Sequence, residues 1–247
     1  MGRNELKEEW ARLAPAWIKE SREGRNPSRV GLLDKPMLAA CGDVRGLEML
    51  DCGCGEGRFC RILRQRGAKR VLGIDLCAPM IDAARQLENV SGSDNYRLAD
   101  AQDLSFLADA SFDVVVSYLN QCDLPDFQAN NREVFRVLRP GGRFVVANLH
   151  PMRSAVGTWL KTNEGVKQHA ILDRYFDEGE RYWKMLNADF TNFHRTLSTY
   201  LRSYVAAGFA VVDIVEPTVD AESLQRFPEL DDELRVPNFI IYVLKKV

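Results

Sequence analysis

Between residues 47 and 149 short apolar runs alternate with helical periods: LEMLDC, RFCRILRQRGA, VLGID, PMIDAARQLE, YRLAD, FDVVVSYL, REVFRVLRPGG and RFVVANL. Near-continuous runs of Val, Ile and Leu suit strands buried on both faces, and helices between them imply right-handed crossovers in a parallel sheet. The pattern predicts an α/β, doubly wound fold. With 247 residues, 46% of them apolar and 28% charged, the chain can bury such a core in one globular unit.

The flanks depart from this rhythm. Residues 1–46 read as an N-terminal helical cap, with Leu6, Trp10, Leu13, Trp17 and Ile18 close to helical spacing, Asn4 as N-cap and Pro15 expected to kink or split the helix. A second short helix ends near Cys41 and Gly42. Residues 47–247 form the main domain, interrupted after the fifth strand by an insertion at 150–195 where the alternation stops. All four tryptophans lie outside 47–149, and nine of the 23 aromatic residues fall between 150 and 204. That enrichment reads either as a lid over an apolar ligand or as aromatic packing that fastens the insertion to the core.

Charge excludes some partners. Thirty-three Lys and Arg against 35 Asp and Glu give a net charge of -2, with no global attraction for a phosphate backbone, so nucleic acid is not expected. No apolar run approaches the ~18 residues of a membrane span, and the start MGRNELKEEW carries no hydrophobic signal core, so a cytoplasmic location is expected. The six cysteines, at 41, 52, 54, 60, 77 and 122, lack zinc-site spacing and are expected to be reduced structural thiols; no metal is expected. Oligomeric state is not encoded in any of these patterns.

The segment Leu50-Asp51-Cys52-Gly53-Cys54-Gly55-Glu56-Gly57 joins a predicted strand to a predicted helix. Glycines there let the backbone approach a ligand, and the helix N-terminus offers free N–H groups. A dinucleotide fingerprint starting at Gly53 requires its third glycine at 58, which is Arg58. Asp51, just ahead of the loop, would repel pyrophosphate and attract a ligand carrying an ammonium and a sulfonium. Asp75 ends the second strand about 20 residues on, where a carboxylate can accept both ribose hydroxyls.

Together LDCGCGEGRF, VLGIDL, ADAQDL, FDVVVSYL and VLRPGGRFVVANL resemble the class I S-adenosylmethionine-dependent methyltransferases, densely over residues 47–149. The tail, HRTLSTYLRSYVAAGF with VVDIVEP, resembles the small-molecule branch related to ubiquinone- and menaquinone-type methyltransferases. The resemblance implies a Rossmann-like seven-stranded sheet whose last strand, NFIIYVL, is antiparallel, and S-adenosylmethionine as cofactor. Carried over by position, Asp51, Gly53, Cys54 and Gly55 match the loop that holds the methionine moiety, and Asp75 matches the ribose acid. Leu76 and Met80 match the apolar clamp beside adenine, Asp100 and Ala101 the adenine-amine contact, and Ser117 and Tyr118 the positions beside the transferable methyl group.

The implied reaction is an in-line methyl transfer to a small, apolar or aromatic acceptor through oxygen, nitrogen or carbon. A general base is needed only where the acceptor keeps its proton at neutral pH. His150, at the end of strand five, and His194, at the far end of the insertion, are the candidates, with Tyr118 and Asn120 able to orient the acceptor; His169 reads as surface. Two other classes stay open. One is an NAD-dependent oxidoreductase on a similar sheet, although Tyr-x3-Lys occurs only at Tyr242 and Lys246 in the terminal strand. The other is a protein that binds adenosylmethionine without turnover.

Overall fold

The computed structural model describes residues 2–88, 95–156, 158–186 and 188–247. Seven strands form one sheet: β1 (Glu48–Cys52), β2 (Arg70–Asp75), β3 (Tyr96–Leu98), β4 (Phe112–Tyr118), β5 (Leu138–Leu149), β10 (Phe209–Val215) and β11 (Phe239–Lys246). Their order is β10-β11-β5-β4-β1-β2-β3. Strands β1 to β5 pair in parallel, while β11 lies between β10 and β5, antiparallel to both, as the resemblance implied for NFIIYVL. Strand order reverses between β1 and β4, and an open α/β sheet binds its ligands at the carboxyl ends beside such a switch point.

Both faces of the sheet's central strands are covered, which is why those strands read as near-continuous apolar runs, while the edge strands β3 and β10 are only partly buried. In β4, Val114 and Val116 join the core layer with Met37, Phe59 and Ile81, while Val115 faces the layer of Tyr200, Tyr204 and Tyr242. The covering helices are α2 (Asp34–Cys41), α3 (Arg58–Gln65), α4 (Ala78–Leu87), α5 (Phe127–Val137) and α7 (Leu197–Ala206). In α3, Phe59, Cys60 and Leu63 are buried on one stripe, with Arg58, Arg61 and Arg64 between them. The Asp126 side chain caps α5 by accepting from Ala129 N at 2.9 Å, and Thr196 caps α7 from Thr199 N at 3.2 Å. All six cysteines are free and buried.

Two local expectations change. Helix α1 (Arg3–Glu23) begins after Gly2, whose N–H donates to Glu5 Oε2 at 2.7 Å, so Asn4 lies inside the helix and does not cap it. The helix also runs unbroken through Pro15. Burial of Leu13 and Ala14 and the edge-to-face contact of Trp10 with Trp17 at 5.7 Å hold the turn where the proline removes one backbone bond. After a π-helical turn at Ser28–Leu33 the chain enters α2.

The insertion is two antiparallel hairpins behind a short helix, α6 (Pro151–Val156): β6 (Thr158–Lys161) with β7 (Lys167–Ile171), and β8 (Gly179–Met185) with β9 (Ala188–His194). A last short helix, α8 (Ala221–Arg226), precedes β11. No helix among the described residues is long and apolar enough to cross a membrane.

Candidate functional site

A cleft with about 910 Å³ of non-protein space, its open mouth included, lies over the carboxyl ends of β1, β2, β3 and β4 and is roofed by α1 and the π-helical turn. Its floor is the loop after β1. Gly53, Gly55 and Gly57 have φ of +75°, +55° and +81°, and a Cβ at Gly53 would collide with the Asn120 side chain. Only glycine allows both the left-handed backbone and that close approach. Gly53 N and Cys54 N donate to Ile74 O at 2.8 and 2.9 Å, which ties the loop to β2.

Three strand-terminal carboxylates face the cleft, and each has a different environment. Asp75 accepts from Gly55 N and Cys77 N, both at 2.8 Å, so it holds the glycine loop and the start of α4 in place while burial pushes its carboxyl up. Asp100 accepts from Gln102 N at 2.8 Å. Asp51 is 1% exposed and, among the described residues, its side chain accepts only from Cys60 Sγ, at 3.2 Å through Oδ2. Burial raises its pKa to about 6, against the opposing effects of the Cys60 hydrogen bond and the Arg29 charge.

Arg29, in the π-helical turn, lies between two rings, 5.2 Å from the Trp17 centroid and 4.5 Å from that of Tyr118, and its Nη2 donates to Tyr118 O at 3.3 Å. Its Nε is buried without a partner, as are Asp51 Oδ1 and Asn120 Oδ1, and all three residues line the cleft. Unpaired buried polar atoms cost free energy, so three of them around one cleft mark a surface shaped for a polar ligand. Leu119, also on the wall, has φ +56°, a left-handed conformation rare for leucine and of the kind found at functional sites.

A fourth carboxylate, Asp123, comes from the 3-10 turn Gln121–Asp123 after β4. It is 4% exposed, accepts from Asn192 Nδ2 of β9 and has the Cys122 thiol 3.6 Å from its Oδ1. Burial raises its pKa to about 7, opposed by the Cys122 and Asn192 hydrogen bonds and by Arg29.

Of the residues singled out from sequence, Asp51, Gly53, Cys54, Gly55, Asp75, Leu76, Met80, Asp100, Ala101 and Tyr118 all line this cleft. Ser117 does not: it is fully buried, with Oγ unpartnered, because strand alternation turns it into the sheet. The Tyr118 ring reaches the cleft, but its hydroxyl donates to Asp34 Oδ1 at 3.0 Å and burial raises its pKa well above the usual phenol range. Neither His150 nor His194 is among the lining residues. His150 Nδ1 accepts from Met152 N at 3.1 Å, which leaves Nε2 to donate to Glu216 Oε1 at 3.0 Å. His194 Nε2 faces Tyr175 O at 2.8 Å and must carry the proton, so Nδ1 accepts from Ser154 Oγ at 2.8 Å. Burial lowers both imidazoles, which fits neutral rings used as hydrogen-bonding struts. His169 is exposed, as expected.

Sequence reasoning missed Arg29 and Asp123. A lone arginine in an apolar helix carries no motif, and an aspartate three residues from another turn acid looks like turn chemistry. The lid reading divides. The N-terminal cap supplies Leu6, Trp10, Trp17 and Ser21 to the cleft wall. The insertion supplies no lining side chain among the described residues and reaches the cleft through Asn192 on Asp123, through Arg195 on the carbonyls of Gln121 and Leu124, and through Thr191, whose N and Oγ1 each donate to Glu9 at 3.0 Å.

Comparison with known proteins adds independent findings. A family described as a methyltransferase domain matches residues 50–146. The solved S-adenosylmethionine dependent methyltransferase from Mesorhizobium loti is 32% identical, covers 85% of this chain and 96% of its own, and superposes with a TM-score of 0.76. The malonyl-[acyl-carrier protein] O-methyltransferase of Serratia marcescens is 39% identical over 104 residues, 42% of this chain and 39% of that enzyme. The ubiquinone biosynthesis O-methyltransferase of Neisseria meningitidis is 30% identical over 147 residues, 58% of this chain and 61% of its own. The chain therefore spans less than two thirds of the length of these two named enzymes.

Proposed function

Since the chain belongs to the class I S-adenosylmethionine-dependent methyltransferases of the small-molecule type, we propose that the cleft over β1 to β4 holds the methyl donor beside its acceptor. The observation that carries this reading is the set of unpartnered buried atoms on its wall, Asp51 Oδ1, Asn120 Oδ1 and Arg29 Nε. Two acceptors and one cationic donor match a zwitterionic amino-acid group, with Asp51 and Asn120 toward the ammonium and Arg29 toward the carboxylate. Asp75 would accept from the ribose hydroxyls with the lone pairs its two loop amides leave free. Leu76, Met80, Asp100 and Ala101 would enclose the adenine, as the sequence resemblance implies. S-adenosylmethionine, when bound, supplies an electrophilic methyl group on a sulfonium.

The chain's own contribution is alignment and exclusion of water. Trp10, Trp17 and Leu6 close the cleft from the α1 side, and the Tyr118 ring, with its hydroxyl committed to Asp34, serves as a wall. An apolar or aromatic small-molecule acceptor suits those surfaces. His150 and His194 are structural in this reading, since each has both ring nitrogens engaged away from the cleft. The NAD alternative loses its active pair: Tyr242 is buried in the core, and Lys246 Nζ donates to Phe135 O and Leu138 O at 2.6 and 2.8 Å.

Isothermal calorimetry with S-adenosylhomocysteine and with NADH tests the donor site. Tight binding of the first and none of the second is expected; NADH binding more tightly overturns the reading.

A further inference from the structure

Five carboxylates line the cleft; Glu56 is paired with Arg61 and accepts from Ser21 Oγ, and the other four fall into two groups. Asp51, Asp75 and Asp100 stand at or just beyond the ends of adjacent parallel strands, where the donor's ammonium, ribose and adenine need acceptors. Asp123 stands apart, on the turn after β4, and is held from the insertion by Asn192. Its Oδ1 takes both contacts that it makes, from Asn192 and from the Cys122 thiol. Asn192 is itself buried, with its Oδ1 unpartnered among the described residues, so its amide is fixed here through the bond its Nδ2 gives Asp123.

Resting on the donor site proposed above, we infer that Asp123 is the proton acceptor of the transfer, that Asn192 positions it, and that the acceptor is a protic nucleophile, a hydroxyl or an amine, and not a carboxylate. The balance is simple. The acceptor's lone pair forms the bond to the methyl carbon, the carbon–sulfur bond breaks, and its electron pair stays on sulfur as the neutral thioether. The proton displaced from the acceptor passes to Asp123 and then to water. A carboxylate acceptor brings no proton to transfer and meets the repulsion of an ionised Asp123.

The surroundings of Asp123 support this role. The charged and titratable groups acting on it are Arg29 from the π-helical turn, Asp75 from β2 and Cys122 on its own turn. Arg195, beyond Asn192 in sequence, is occupied elsewhere, donating to Gln121 O, Leu124 O and Pro125 O. Hence no cation is salt-bridged to Asp123 among the described residues, and burial leaves it half-protonated near neutral pH, where a general base is most effective. The sign follows: turnover rises with pH as the carboxyl ionises and levels above about 7.

The test uses the full chain with S-adenosylhomocysteine bound. Infrared difference spectra of wild type against Asp123→Asn, titrated from about pH 5 to about pH 9, should show a protonated carboxyl lost near pH 7. Asn192→Ala removes a donor to the carboxylate and should move that midpoint upward. A carboxyl ionised over the whole range, or a midpoint that Asn192→Ala leaves in place, overturns the inference. A parallel assay offers methyl-labelled S-adenosylmethionine with three sets of compounds: phenols, primary amines and carboxylic acids. Label is expected in the phenols or the amines, with a rate climbing about tenfold per pH unit below the midpoint and falling roughly 100-fold in Asp123→Asn, while affinity for S-adenosylhomocysteine stays within about threefold. Label in carboxylic acids alone, or none in the protic sets, overturns it. Calorimetry separates the two readings: without S-adenosylhomocysteine binding to wild type the donor site fails, whereas binding without the carboxyl titration removes only the role of Asp123.

Discussion

Strands β4 and β8 are both seven residues long, yet six residues of β4 are buried and none of β8 is. β4 has partners on both edges and helices on both faces, so each side chain has a fixed neighbour. β8 has one partner, β9, and carries Tyr182 at 76% exposure. The difference shows how labour is divided over the cleft. The sheet places backbone and carboxylates rigidly at the strand ends, while the insertion contributes through polar tethers from β9 and the residue after it: Asn192 to Asp123, Thr191 to Glu9 and Arg195 to the carbonyls of Gln121, Leu124 and Pro125. Segments held by few buried contacts occupy the low-stability end of a structure, where substrate access is found.

The sharpest way to break this contrast is to damage the rigid side. Gly53→Ala puts a Cβ against Asn120 in a left-handed backbone, and affinity for S-adenosylhomocysteine should fall roughly 100-fold or more, as measured by calorimetry. Asp75→Ala removes charge-assisted bonds worth about 1.5 to 3 kcal/mol each before compensation. At least a tenfold loss of affinity is expected, with the melting temperature also lowered because Gly55 N and Cys77 N lose their acceptor. Unchanged affinity would reassign Asp75 to holding the loop alone.

Asp51 sharpens the contrast from the opposite direction. Its carboxyl is raised to about 6 in the folded chain, above an unfolded value near 4. The folded state thus holds a proton that the unfolded state releases, so this group's contribution to stability falls as pH rises from about 4 to about 6 and is constant above that, while Asp123, raised to about 7, extends the overall slope beyond it. Asp51→Asn should remove this slope and stabilise the ligand-free protein at neutral pH by on the order of 2 kcal/mol, while weakening donor binding. Thermal melts across pH, with and without S-adenosylhomocysteine, check both halves.

On the insertion side, Glu9→Ala removes both bonds to Thr191. Proteolysis within 150–195 should quicken several-fold, with donor affinity changed by less than about threefold. The smallest effect is expected from His150→Gln, which touches neither wall nor floor of the cleft. Turnover and donor affinity should stay within about twofold, with a stability loss of about 1 kcal/mol from the Met152 and Glu216 contacts. A larger loss of turnover would return His150 to the reaction.

Much of this was legible in the chain itself, because the signals are local. The apolar runs with helical periods between them specify a buried parallel sheet. The positions of Asp51, the three glycines and Asp75 relative to strand ends follow from spacing, since a strand of known length must end where its loop begins. The antiparallel direction of β11 came only by resemblance, and periodicity cannot supply it: NFIIYVL would look the same parallel or antiparallel. Its place between β10 and β5 came from the structure.

Tertiary structure alone decided which side chains from outside the strand-end motifs join them in the cleft. Arg29 and Tyr118 are 89 positions apart, and Asp123 and Asn192 are 69 apart. No periodicity links residues that meet only after the chain has crossed the sheet. His150 illustrates the converse. Its place after β5 brings it near the strand ends, but backbone pairing of its N–H with Asn238 O and the turn into α6 set it beside Glu216 instead. Strand ends can be located by counting along the chain, whereas the direction of a side chain past the strand end depends on what packs above it, and here that is α1, the π-helical turn and β9.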